Sequence, residues 1–103
     1  MRAGNTSERI QGRGLTARGE SMAKFEARGA DLYINGKKVL RAWESFTGWY
    51  WFGVEEAEPK LWFGFVQGIE EEWGYFDEKE LESLAPKVWE IPKANLIYSG
   101  RRS

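Results

Sequence analysis

Glu55, Glu70 and Glu72 are interleaved with Trp51 and Trp62 in the run Thr47 to Phe76, TGWYWFGVEEAEPKLWFGFVQGIEEEWGYF. Carboxylates beside indoles are the groups that glycoside hydrolysis needs, with an acid and a base about 5 to 9 Å apart flanking a sugar ring. A chain this short rarely encloses an active cleft, so a carbohydrate-active or carbohydrate-binding domain with Trp platforms and Glu pairs is an alternative reading only. The triple acid Glu70-Glu71-Glu72 raises calcium. IEEEWGYFDEKE, however, lacks the alternating oxygen ligands and the bidentate acid at a fixed distance that a calcium loop requires, and it reads as a solvated turn between strands.

Other chemistry is limited by what is missing. The 103 residues include no cysteine and no histidine, which removes thiolate nucleophiles, disulfides, Zn–thiolate sites and the commonest general base near neutral pH. The glycines lack the strand-then-helix context of a phosphate loop: Gly12-Arg13-Gly14 follows no strand, and Gly64 and Gly68 lie in or beside one. The expectation is a protein that is not an enzyme and carries neither cofactor nor metal. No apolar run approaches the roughly 20 residues that cross a bilayer, so the expected setting is cytoplasmic and away from membranes.

Aromatic residues among glycines suggest base stacking, but stacking sites track phosphates with cations. Between Ala42 and Asp77 the only base is Lys60, against eight acids. That acidic body is expected to repel nucleic acid. A weak, salt-sensitive attraction is left to the tails, through Arg2, Arg9, Arg13, Arg18, Arg101 and Arg102.

The elements that position these side chains follow from pattern. Residues 1–22 carry too few large apolar groups to offset the entropy of ordering and are expected to be a flexible basic tail or leader, ahead of a single domain at 23–103. Order is expected near Ala30, where ADLYI, the turn Asn35-Gly36 and KKVLRAW predict a hairpin of two strands. Trp49–Glu55 and Lys60–Gln67 predict a second hairpin, and Glu72–Phe76 a further short strand. Asp77, followed by Glu80, predicts a helix start, with Pro86 ending the helix near Ala85. KVWEI predicts a last strand. The fold class is α+β: a small, mainly antiparallel sheet of five to six strands with one short helix near the C-terminus.

With a four-residue loop at Glu56–Pro59, Glu55 faces Lys60. Tyr50, Phe52, Val54, Leu61, Phe63 and Phe65 then share one face, and Trp49, Trp51, Gly53, Trp62, Gly64 and Val66 the other. This register sets Trp62 opposite Gly53 and Trp51 opposite Gly64, so that each indole covers a glycine. Trp43, Trp73 and Trp89 are expected in the core. Trp49, Trp51 and Trp62 crowd the other face: left bare they form an exposed patch, the mark of a contact surface, and covered by the short helix and the C-terminal segment they form a second small core.

The run W-Y-W-F-x-V-E-E followed by L-W-F-G-F-V-Q-G-I-E-E-E-W-G-Y-F-D-E-K-E-L-E-S-L resembles a family of small uncharacterised domains carried by phages, plasmids and other mobile genetic elements. The shared positions are Trp51, Phe63-Gly64, Glu70 and Glu72, Gly74-Tyr75-Phe76 and Glu80-Leu81, within Trp49 to Ile91. The resemblance implies an accessory role in a mobile element and imports no activity.

Together these readings predict a protein-binding module whose surface is Trp49, Trp51 and Trp62, edged by Glu55, Glu70, Glu72 and Tyr75. The expected partner is another protein, such as a host factor with a basic surface. A homodimer through an edge strand or the aromatic face would use the same residues.

Overall fold

The computed structural model describes residues 23–102. The expected tail, residues 1–22, lies outside them, and so does Ser103. Two antiparallel sheets make up the described chain. The smaller contains β1 (Phe25–Arg28), β2 (Asp31–Ile34) and β3 (Lys37–Lys38). The larger has the order β7-β6-β5-β4-β8, from β4 (Arg41–Ser45), β5 (Tyr50–Glu58), β6 (Leu61–Gln67), β7 (Glu71–Asp77) and β8 (Val88–Glu90). Helix α1 (Glu78–Ser83) follows β7 directly, and a 3-10 helix (Lys93–Tyr98) follows β8.

A mainly antiparallel fold with one short α-helix agrees with the α+β expectation, but the single sheet becomes two. Strand structure starts at Phe25, ahead of the expected onset near Ala30, because Asn35 ties back: its Oδ1 accepts from Lys24 N and its own N–H donates to Lys24 O, each at 2.8 Å. Asn35 and Gly36 both have positive φ, 52° and 79°, as expected for this dipeptide in a two-residue turn. KKVLRAW is not one strand. The N–H of Val39 donates to Leu32 O in the small sheet, while that of Leu40 donates to Gly53 O in the large one, both at 2.8 Å. The chain changes sheets between adjacent amides, with Val39 buried at the junction.

The second hairpin closes more tightly than expected. Glu58 faces Leu61, and the turn is Pro59-Lys60, with Lys60 at φ 66° and its N–H donating to Glu56 Oε2 at 2.9 Å. Register shifts between Gly53 and Glu55 and between Glu56 and Glu58 take up the extra residues of β5. Gly53 consequently faces Gly64, and Trp51 faces Val66. Beyond the bulges, at Gly53, this differs from the expected pairing by two residues. A slip of two leaves side chains on their faces, where a slip of one would reverse them, so the predicted division of the aromatic residues holds.

One face carries Phe52 and Phe65, which pack with Leu32, Ile34, Val39, Ala42, Ile91 and Leu96 from the small sheet, the strand ends and the 3-10 helix. On the other face Trp43, Trp62 and Val88 form a second core beneath Leu81 of α1, with Trp51 and Phe76 against it. Asp77 caps α1, accepting from Lys79 N at 2.8 Å, as the acid before the apolar turn suggests. The helix ends at Ser83, short of Ala85. Of the three tryptophans expected in the core, Trp43 is buried, Trp73 is half-buried and Trp89 is exposed on β8.

Candidate binding groove

The expected surface divides. Trp62 is only 3% exposed. Its ring packs edge-on to Trp43, with centroids 5.9 Å apart, and its Nε1 donates to Glu78 Oε1 at 3.0 Å. The cause is α1: by starting immediately after β7 it folds back over this end of the sheet and converts the expected patch into interior. The indole does cover Gly53, since a Cβ there would sit 2.6 Å from the ring. It does so diagonally, because the residue opposite Gly53 is Gly64.

Glu55 and Tyr75 leave the surface in another direction. Both face Phe63, from β5 and β7 respectively, and so belong to the opposite face. Glu72 lies in a cross-strand row with Val66 and Trp51, and Glu70 is exposed in the turn before β7. Glu55 and Glu72 therefore sit on opposite sides of the sheet and do not form a carboxylate pair around one cleft. Among the described residues, no three Asp or Glu side chains converge as a metal site, and no helix is long and apolar enough to cross a membrane.

Trp49 and Trp51 remain at the surface, half-buried, with ring centroids 5.8 Å apart. They line a groove of about 210 Å³ together with Phe46, Leu84, Lys87 and Val88. Its wall is the turn linking β4 to β5. Ser45 Oγ accepts from Trp49 N at 3.1 Å and shares a hydrogen bond with Thr47 Oγ1 at 2.8 Å. The Ser45 N–H donates to Trp49 O, Gly48 N–H to Ser45 O and Phe46 N–H to Lys87 O, each at 3.0 Å. With its backbone so tied, the turn holds Phe46 out at 69% exposure. Trp49 is held from below by Gly68, where any Cβ would collide with the indole.

The end of the chain braces the same corner. Gln67, fully buried, accepts from Arg101 N at 2.7 Å and donates to Arg101 O at 2.8 Å. The Arg101 guanidinium donates to Gly48 O at 3.2 Å and to Gly68 O. Arg102 donates to Ile97 O and Ser99 O, at 3.0 and 2.8 Å, and lies over the Phe25 ring. Arg101 and Arg102, counted with the tail cations that could attract nucleic acid, are thus bound to backbone carbonyls.

Beneath α1, Arg41 joins the elements that bury Trp62. Its Nε and Nη2 donate to both oxygens of Glu90, at 2.8 and 2.7 Å, and its Nη1 donates to both oxygens of Glu78, at 3.0 and 3.1 Å. Burial pushes the Glu78 carboxyl upward, but the Trp62 N–H and the Arg41 charge outweigh it and hold the group below the usual carboxylate range. Nothing in the spacing of Arg41, Glu78 and Glu90 marks them as partners. The groove residues had one available signal: Phe46 is an aromatic ring inside an otherwise polar turn, ESFTG.

No protein-family model, no curated protein and no solved structure matches this chain.

Proposed function

We propose that this chain is a non-enzymatic protein-binding module, acting as an accessory protein of a mobile genetic element in keeping with the resemblance of Trp49 to Ile91. Its partner inserts an apolar side chain between Phe46 and the Trp49–Trp51 pair and sets basic residues against Glu70 and Glu72. The observation that carries this reading is an exposed phenyl ring on a turn whose backbone is already hydrogen-bonded. Such a surface loses little entropy on binding, and aromatic anchors dominate protein interfaces. Glu72, in one cross-strand row with Val66 and the groove residue Trp51, gives the partner's charge: a basic group to one side of an apolar anchor.

Capture from the natural host, compared between the native chain and Phe46→Ser and Glu72→Lys variants, tests this. The expected result is a protein retained by the native chain, lost with Phe46→Ser, weakened with Glu72→Lys and released by salt. Equal retention by all three, or a complex indifferent to salt, overturns it.

A further inference from the structure

Lys87 is the only charged residue among those lining the Phe46 groove, beside the apolar side chains of Phe46, Trp49, Trp51 and Leu84. An alkyl stem laid along apolar surface keeps its ammonium in water at the rim. Arg28, Lys38, Arg41 and Lys60 are paired with carboxylates. Among the described residues, Lys87 has no such partner, and its side chain makes no hydrogen bond.

The sheet sets an opposite charge on the other flank. In the order β7-β6-β5-β4-β8, Lys87 stands just before β8, two strands to one side of β5, where its carbonyl accepts from Phe46 N at 3.0 Å. Glu72 stands two strands to the other side. It is exposed and shares a cross-strand row with Val66 and Trp51, so it lies on the face of the groove. With strands about 4.8 Å apart, each charge is roughly 10 Å from β5. Glu90 continues the row beyond Trp43, but both its oxygens are taken by Arg41, so it does not cancel Lys87.

Given the groove as a protein-binding site, on which this rests, we propose that it selects a partner segment with opposite charges on either side of its apolar anchor. A carboxylate meets Lys87, the anchor lies between Phe46 and the two indoles, and an ammonium or guanidinium meets Glu72. An extended chain advances about 3.3 Å per residue, which puts each charge about three residues from the anchor. Such a segment crosses the strands of the large sheet. A methylated ammonium, which clustered aromatic rings also attract, is the wrong occupant, because the lining holds a lysine and no acid.

The test titrates the full chain with three blocked peptides at millimolar concentration: Asp-Ser-Ser-Leu-Ser-Ser-Lys, the same peptide with Lys at both ends, and the same with Asp at both ends. Binding is followed by the indole N–H signals of Trp49 and Trp51. The Asp/Lys peptide is expected to bind about threefold more tightly than either of the others, the scale of one exposed ion pair. Charge reversal should move the preference: Lys87→Glu is expected to favour the Lys/Lys peptide, and Glu72→Lys the Asp/Asp peptide. Lys87→Gln is expected to make the Asp/Lys and Lys/Lys peptides equal. An unaltered Trp62 indole signal in each free variant reports the intact fold. Equal binding of all three peptides to the native chain, lost in Phe46→Ser, overturns the two-charge selection and leaves the groove standing. Shifts confined to other residues, or none with any peptide, overturn both.

Discussion

The indole N–H of Trp62 and the carboxylate of Glu78 meet at 3.0 Å beneath a helix of less than two turns, and this contact separates core from surface on one face of the large sheet. A buried carboxylate needs donors around it. Glu78 has the Trp62 indole and the Arg41 guanidinium among them. Replacing Trp62 with Phe keeps a ring in place but removes the N–H, and is expected to cost about 2 kcal/mol, the scale of a hydrogen bond to a charged group. Trp62→Ser removes the ring as well and is expected to leave no cooperative transition. Chemical denaturation of both variants checks the pair.

Arg41→Leu tests the same network from its basic side. An unpaired buried carboxylate typically costs about 3 to 5 kcal/mol, so the variant is expected to be strongly destabilised at neutral pH and to recover in part as Glu78 takes up a proton in mild acid. The native protein should behave in the opposite way. The folded state holds the Glu78 carboxyl below its unfolded value of about 4.3, so the stability this group contributes is present above that value and lost as pH falls through the folded one. Denaturation midpoints measured across the acid range distinguish the two slopes.

How far this architecture could be read from sequence depended on which patterns are local. Asn35-Gly36 as a turn, Asp77 as a cap and the division of Phe52 and Phe65 from Trp51 and Trp62 all follow from two or three neighbouring residues, and all are present. The two bulges of β5 have no composition signature, so the expected register at Gly53 was off by two residues. Whether Trp62 lies bare or in a second core beneath the helix was not decided by the sequence, because that depends on where α1 lands, and α1 is held through Arg41, Glu78 and Glu90, residues far apart in the chain. KKVLRAW could not reveal its change of sheet for a similar reason: β-propensity shows that a residue is extended, not which neighbour its amide will meet.

Glycine substitutions separate two environments that look alike in the sequence. At Gly64 a methyl group would run into the Phe52 carbonyl, and Gly64→Ala is expected to cost more than about 3 kcal/mol or to prevent folding, as forced overpacking does. Gly74→Ala, on the same cross-strand row, is expected to be neutral or stabilising because it removes flexibility from the unfolded chain without a clash. Thermal melts of the two single variants give the comparison.

Arg101 is one of the tail cations that could attract nucleic acid, and its hydrogen bonds to Gly48 O and Gly68 O give it a structural role as well. Arg101→Ala is expected to lower stability by about 1 to 3 kcal/mol, since it leaves the carbonyls of Gly48 and Gly68 without donors. Any retardation of a DNA probe in a gel should be unchanged. A lost shift with an unaltered melting temperature would return Arg101 to the nucleic-acid reading.

The clasp formed by Gln67 and Arg101 also has a practical corollary for bait design. Because the Arg101 guanidinium reaches the carbonyls of Gly48 and Gly68, the glycines adjoining and underlying Trp49, removing Arg101 would unfasten the ledge on which that indole rests. A bait cut back to residue 100 is therefore expected to hold less partner than the full chain, even where its sheet still folds.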